Sequence, residues 1–252
     1  MPGSDCLCDR RWQLKFNVSS EIRRDYFRSK LLRFTRKAFK TIPELTDPVI
    51  LDVGCGTGVV TLELARLSGG RVVGIDIDQA ALDSLKDKIV QAGLAAQIKT
   101  VNCPMQDMKF NDASFDIIWC EGAVFVIGFE EALKEWRRFI KPQGFSVLHA
   151  RMIDLEKRIA LIPSAGYHLL ETFSVPKESW WDDYYSPMEN LVDGLRHRYQ
   201  NEPDALALLS SVQREIDDFK NKPEYQSSVF YVMQRSEEDK SEDLPEGTVV
   251  QH

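Results

Sequence analysis

The hydrophobic positions of this chain change period repeatedly. VILDV at 49–53 is almost continuously apolar and carries one acid, Asp52. RVVGIDID (71–78), QIKTVNCPM (97–105), FDIIWCEG (115–122), FSVLHA (145–150), HLLETFSVP (168–176) and SSVFYVMQR (227–235) share that short, β-branched character. Such runs read as buried strands. Between them the apolar residues return at helical spacing, as in Val59, Leu62, Leu64, Ala65 and Leu67, then in AALDSLKDKIVQAG and FEEALKEWRRFI. Strand and helix alternate, which predicts a parallel sheet with right-handed crossovers.

Two stretches depart from that alternation. EIRRDYFRSKLLRFTRKAFK (21–40) predicts one amphipathic helix, with Ile22, Phe27, Leu31, Phe34 and Ala38 on one face. Eight Lys/Arg against two acids fill its other face. That helix reads as a lid, as a contact for an anionic surface, or as a packing helix with a solvated basic face. From Arg151 a short helix ends near Gly166 and leads to the sixth strand. Residues 177–222 are then helical in character and longer than a hairpin needs, so they read as a substrate cap.

Between the first strand and its helix stand Gly54, Gly56 and Gly58. Glycine permits positive φ and close approach of a ligand to the main chain. A dinucleotide turn needs G-x-G-x-x-G/A, but Val59 stands where the third small residue belongs. A P-loop needs Gly-Lys-Ser/Thr, and this turn has no lysine.

Composition narrows the choice. The 252 residues are 43% hydrophobic, suiting one large domain or one domain with a helical insertion. The expected division is an amino-terminal segment and helix (1–44), a cofactor-binding core (45–176), a helical cap (177–222), a last core strand (223–235) and an acidic disordered tail (236–252). Residues 1–18 show no clear period. The net charge of −7 argues against a nucleic-acid binder. Neither a bilayer-spanning run nor a signal peptide is read, so a cytoplasmic protein is expected. The five cysteines form neither a disulfide framework nor a C-x-x-C pair, and no metal is expected.

An acid followed by G-x-G-x-G, then Asp76 18 residues past Gly58, resembles the class I S-adenosylmethionine-dependent methyltransferases. KPQGF matches their turn before the fifth strand. WCEGAVFVIGFEEALKEWRRFIKPQGF, with AGY, ESWWDDYYSP and VFY, is similar to a subgroup acting on small molecules. The resemblance covers about 45–150 by motif and reaches 235 by pattern. It implies an α/β, Rossmann-like, seven-stranded and mostly parallel sheet, with an antiparallel last strand and a helical cap before it. It implies S-adenosyl-L-methionine as cofactor and S-adenosyl-L-homocysteine as product.

On that resemblance Asp52, Gly54, Gly56, Gly58 and Cys120 belong to the cofactor site, Asp76 holds the ribose and Ile77 lies against the adenine. A carboxylate suits vicinal hydroxyls because both its oxygens accept. Asp78 reads instead as the cap of the following helix. Where many relatives place Asp-Ala, this chain has Pro104-Met105. The adenine contact then falls to backbone N–H of Met105 or Gln106, or to the Gln106 amide, with Asp107 as the alternative. Cys120-Glu121-Gly122-Ala123 replaces the Asn/Asp-Pro-Pro-Tyr motif of amino-group methylators. No cysteine set of metalloid methylators and no magnesium ligand set is evident.

Glu121 and His149 are the candidate bases, Glu121 also for the cofactor's amino group. Trp180, Trp181, Tyr184 and Tyr185, joined by Tyr26 and Phe125, are expected to line the acceptor pocket and suit a sulfonium, a cationic substrate or an apolar one. The main expectation is methyl transfer to a small molecule. The alternatives are a lipid or quinone acceptor at a membrane surface, and a non-catalytic cofactor-binding protein. A homodimer stays open.

Overall fold

The computed structural model describes residue 18 and residues 21–237. The expectations for the extreme amino terminus and the acidic tail lie outside the described residues. Seven strands form one sheet: β1 (Val49–Val53), β2 (Arg71–Asp76), β3 (Ile98–Asn102), β4 (Phe115–Glu121), β5 (Ile140–Arg151), β6 (Tyr167–Val175) and β7 (Ser228–Arg235). Their order is β3-β2-β1-β4-β5-β7-β6. β1 pairs in parallel with β2 and β4, whereas β7 is antiparallel to both β5 and β6. The sheet therefore has the expected class and the expected antiparallel last strand. Chain order reverses at β1 and β4, and in open α/β sheets ligands bind beyond the carboxyl ends of strands at such a point.

Helices cover both faces. α1 (Arg24–Lys30) and α2 (Leu32–Thr41) precede the sheet. α3 (Val59–Ser68), α4 (Gln79–Gln91), α5 (Phe129–Trp136) and α6 (Leu155–Ser164) are crossovers. α2, α3 and α4 close one face through Leu32, Ala38, Leu64 and Leu85. α5 and α6 close the other through Leu133, Trp136 and Ile162. Asp78 caps α4 by accepting from the N–H groups of Ala80 and Ala81 at 2.9 and 3.2 Å.

The cap is α7 (Lys177–Trp180), a π turn at Trp181–Tyr185, α8 (Ser186–Arg198) and α9 (Pro203–Asn221). Its core holds Met188, Val192, Leu209 and Ile216 together with Val18, Ile22, Phe27 and Leu31. The amino-terminal helix and the insertion, far apart in sequence, thus build one small core over the carboxyl edge of the sheet.

Three boundaries differ from expectation. The single helix expected over 21–40 is broken at Arg23, which stands at φ 56°, and again at Leu31, where bonds from Leu31 N–H to Arg28 O and from Phe34 N–H to Leu31 O tighten the turn. Leu31 packs into the cap core and its neighbour Leu32 into the sheet core. β3 stops at Asn102, short of Pro104, which cannot donate to a ladder. The turn expected at 141–144 is instead an irregular part of β5, with Gln143 at φ 60° and a register shift opposite Phe115 and Ile117.

Candidate active site

The glycine turn leaves β1 with Gly54, Gly56 and Gly58 all at positive φ (71°, 51° and 84°). The three do different work. A Cβ on Gly54 would stand 2.4 Å from Ala123 Cβ, and one on Gly58 only 2.0 Å from Leu85 Cδ1. Those two glycines let the turn pack against its neighbours. A Cβ on Gly56 would meet nothing, because that residue faces open space.

The open space is a cavity of about 720 Å³ lined by Asp52, Gly54, Cys55, Gly56, Thr57 and Glu121, with Arg28 and Tyr184 above. A smaller cavity of about 140 Å³ adjoins it at Gly54 and is lined by Asp76, Ile77, Cys103, Met105 and Gln106. Asp76 Oδ2 accepts from Gly56 N–H at 2.8 Å, and Oδ1 accepts from Asp78 N–H at 2.9 Å. The carboxylate thereby holds the glycine turn while keeping lone pairs for a hydroxyl ligand.

Asp52 is buried, and its Oδ2 accepts from Thr61 Oγ1 at 2.6 Å. Burial, aided by the charges of Glu121 and Asp76 and opposed by the Thr61 bond, pushes its carboxyl up to about 7. Glu121 is ion-paired with Arg28 and accepts from Trp119 Nε1 at 2.8 Å and from Thr35 Oγ1 at 3.2 Å. α1 is fastened over the cavity at a second point. Asp25 accepts from Thr57 Oγ1 at 2.6 Å and pairs with Lys88, which also donates to Thr57 O at 2.8 Å.

A second cavity, of about 390 Å³, is lined by Phe125, Phe129, His149, Arg151, Trp180, Tyr185, Tyr225 and Ser228. It shares a wall with the first. Glu121 faces the large cavity and the next residue, Gly122, the second; Tyr184 and Tyr185 divide in the same way. His149 is stacked on Phe230, with ring centroids 4.4 Å apart, and its Nε2 lies 2.7 Å from Ser228 Oγ. Ser228 Oγ also accepts from Trp180 Nε1 at 2.9 Å. Burial, with a smaller contribution from the Arg28 charge, pushes His149 down to about 3. The ring is therefore neutral near pH 7 and a poor proton acceptor, because a general base works best with a pKa near the working pH.

The structure brings together Asp52, Gly54, Gly56, Asp76, Ile77, Met105, Gln106 and Glu121 around the first two cavities, with Gly58 shaping the turn behind them. It brings Phe125, Trp180 and Tyr185 to the second, and Tyr184 to the first. Three expected residues stand elsewhere. Cys120 is fully buried in the sheet core, one residue before the strand end, and faces none of these cavities. Tyr26 is 47% exposed and lies between Arg23 and Lys30, because α1 turns Phe27 inward instead. Trp181 stacks on Phe219 inside the cap. Asp107, the alternative adenine contact, is exposed and pairs with Lys109.

Sequence reasoning missed Arg28, Asp25, Lys88, Arg151 and Ser228. Their partners lie far away along the chain, and no local spacing signals them. It also left the basic face of residues 21–40 unassigned. Part of that face is engaged: Arg24 with Glu215, Arg33 with Asp183, Arg36 with Glu63 and Lys37 with Glu171. Among the described residues no group of three or more His, Cys, Asp or Glu side chains is arranged to hold a metal, and no helix is long and apolar enough to cross a membrane.

Residues 50–144 match the family model described as a methyltransferase domain. A demethylmenaquinone methyltransferase of Lactobacillus johnsonii is 34% identical over 112 residues, covering 43% of this chain and 46% of that protein. A sterol 24-C-methyltransferase of Gibberella zeae is 30% identical over 135 residues, covering 50% of this chain and 36% of that protein. The chain thus spans less than half the length of these curated relatives. In fold it is similar to a methyltransferase from Thiobacillus denitrificans solved with S-adenosyl-L-homocysteine. That similarity has a TM-score of 0.67 at 16% identity, over 87% of this chain and 97% of that one. Over residues 50–144 the chain is thus similar to methyltransferase domains, and over most of its length it shares the fold of a methyltransferase solved with S-adenosyl-L-homocysteine.

Proposed function

We propose that the protein moves a methyl group from S-adenosyl-L-methionine to a small-molecule acceptor. The observation that carries this reading is the shared wall. A glycine-lined cavity with carboxylates and an aromatic cavity meet at Glu121-Gly122 and Tyr184-Tyr185.

The residues fit the cofactor. Gly56 offers bare backbone where a side chain would fill the cradle. In this reading Asp76 holds the ribose hydroxyls, and Ile77, Met105 and Gln106 bound the adenine. Asp52 and Glu121 set negative charge beside a cationic donor. Bound there, S-adenosyl-L-methionine would supply an electrophilic methyl group for in-line displacement by the acceptor. The protein's share is alignment and exclusion of water, which can supply much of such a rate. α1, fastened by Arg28 and Asp25, roofs the cavity. His149, held by Ser228 and neutral, does not serve as the base. Glu121, if released from Arg28 on binding, is the group able to take a proton from the acceptor.

A cytoplasmic location belongs to the same proposal. The surface-bound alternative drew on the basic helix, and ion pairs of Arg24, Arg33, Arg36 and Lys37 engage four of its eight basic residues. The sterol and menaquinone names of two relatives keep an apolar acceptor in view. The test is an acceptor-panel assay that reads S-adenosyl-L-homocysteine release. Acceptor-dependent release is expected. Tight cofactor binding without turnover on any acceptor would favour the non-catalytic reading.

A further inference from the structure

The second cavity has a charge pattern that an aromatic lining does not require. Arg151 and Arg158 both line it, and no Asp or Glu does. Arg151 ends β5. Its guanidinium lies over the Tyr225 ring, 3.7 Å from the centroid, and 5.7 Å from that of Phe125. Among the described residues no carboxylate pairs with it. Arg158 donates to Arg151 O at 2.6 Å, which anchors the strand end. Stacking leaves the edge of a guanidinium free, and that edge presents the paired N–H groups that match a carboxylate.

His149 adds a second donor. Trp180 Nε1–H donates to Ser228 Oγ, and the Ser228 hydroxyl can in turn donate to His149 Nε2. That chain satisfies each group once and assigns the imidazole proton to Nδ1. Nδ1 is buried and has no hydrogen-bond partner among the described residues. An unpaired buried donor is costly, and a small movement of the cavity wall on binding would let an acceptor oxygen on a ligand relieve it.

Resting on the methyltransferase reading, we propose that the acceptor is a flat, largely apolar molecule bearing a carboxylate, which Arg151 binds inside the second cavity. A cationic acceptor, which the aromatic cluster alone would allow, meets two like charges there. The carboxylate is a handle, and the atom that receives the methyl group lies elsewhere on the molecule.

The experiment is calorimetry on the full chain with S-adenosyl-L-homocysteine present, titrating 4-hydroxybenzoate, 4-hydroxybenzamide, 4-hydroxybenzylamine and phenyl phosphate. Wild type is expected to bind the benzoate at least ~10-fold more tightly than the neutral amide. Arg151→Gln is expected to erase that preference with S-adenosyl-L-homocysteine affinity unchanged, which also reports that the variant is folded. Arg151→Lys should retain part of it. Equal or tighter binding of the amide or the amine, a preference that survives Arg151→Gln, or no benzoate binding at ~10 mM would overturn the proposal. Tighter binding of phenyl phosphate would overturn the carboxylate assignment in favour of a phosphate. Absence of S-adenosyl-L-homocysteine binding contradicts the methyltransferase reading itself and is read separately in the same titrations.

Discussion

Gly58 and Asp52 show how much a single residue decides here. Gly58 sits at φ 84°, and a Cβ there would stand only 2.0 Å from Leu85 Cδ1, so Gly58→Ala must strain the backbone and push α4. It should cost roughly 1–3 kcal/mol, read as a lower denaturant midpoint. Asp52 titrates near 7 in the fold but near ~4 in an unfolded chain. Between those values the folded state holds a proton the unfolded chain has released. The Asp52 contribution is therefore fully present below ~4 and is lost as pH rises through 7. Asp52→Asn should flatten that loss, measured by urea unfolding at several pH values. His149 acts in the opposite direction. Its pKa falls to about 3, so its stability is present above ~6.5 and is lost as pH falls towards 3. Comparing each variant with wild type separates the two slopes. A cationic cofactor favours ionised Asp52, so its affinity should rise with pH up to about 7, and Asp52→Asn should abolish the rise.

Elements were legible where their cause is local. The alternation of strands and helices, the glycine turn, Asp76 ending β2 and Asp78 capping α4 all follow from neighbours in sequence. The break at Leu31 was not, because the residues on either side of it pack into two cores assembled from distant parts of the chain. Nor was the fastening of α1, since Arg28 and Glu121 stand 93 positions apart. That pair yields a prediction of its own. Arg28→Ala leaves the Glu121 side chain, 2% exposed, without its cation. The loss should be roughly 2–4 kcal/mol, since removing one partner strands the other charge. Glu121→Gln in the same chain should recover part of it, and a double-mutant cycle on unfolding measures how much. Hydrogen exchange should show α1 opening more readily in the single variant.

At the scale of the whole molecule, the sheet supplies the edge and the cap supplies the second wall. The sequence pattern pointed to both, and to the aromatic residues at their seam. It did not separate Trp180 and Tyr185, which reach a cavity, from Trp181, because Trp181 and Tyr185 share a face and both stack on Phe219, and only Tyr185 extends to the cavity wall. A ligand bridging sheet and cap should stabilise the entire fold. S-adenosyl-L-homocysteine at ~100 times its dissociation constant adds about 2.7 kcal/mol, which is roughly 5–10 °C in Tm for a chain of this size. NAD should leave Tm unchanged.

The most direct test of the central claim is calorimetric titration of S-adenosyl-L-methionine and S-adenosyl-L-homocysteine, with NAD as control, into wild type and Asp76→Ala. The account predicts one site of micromolar order for both sulfur compounds, none for NAD, and at least ~10-fold weaker binding in the variant, because Asp76 both holds the glycine turn and faces the adjoining cavity. Absence of binding by either sulfur compound to folded wild type, or equal affinity in Asp76→Ala, would contradict it.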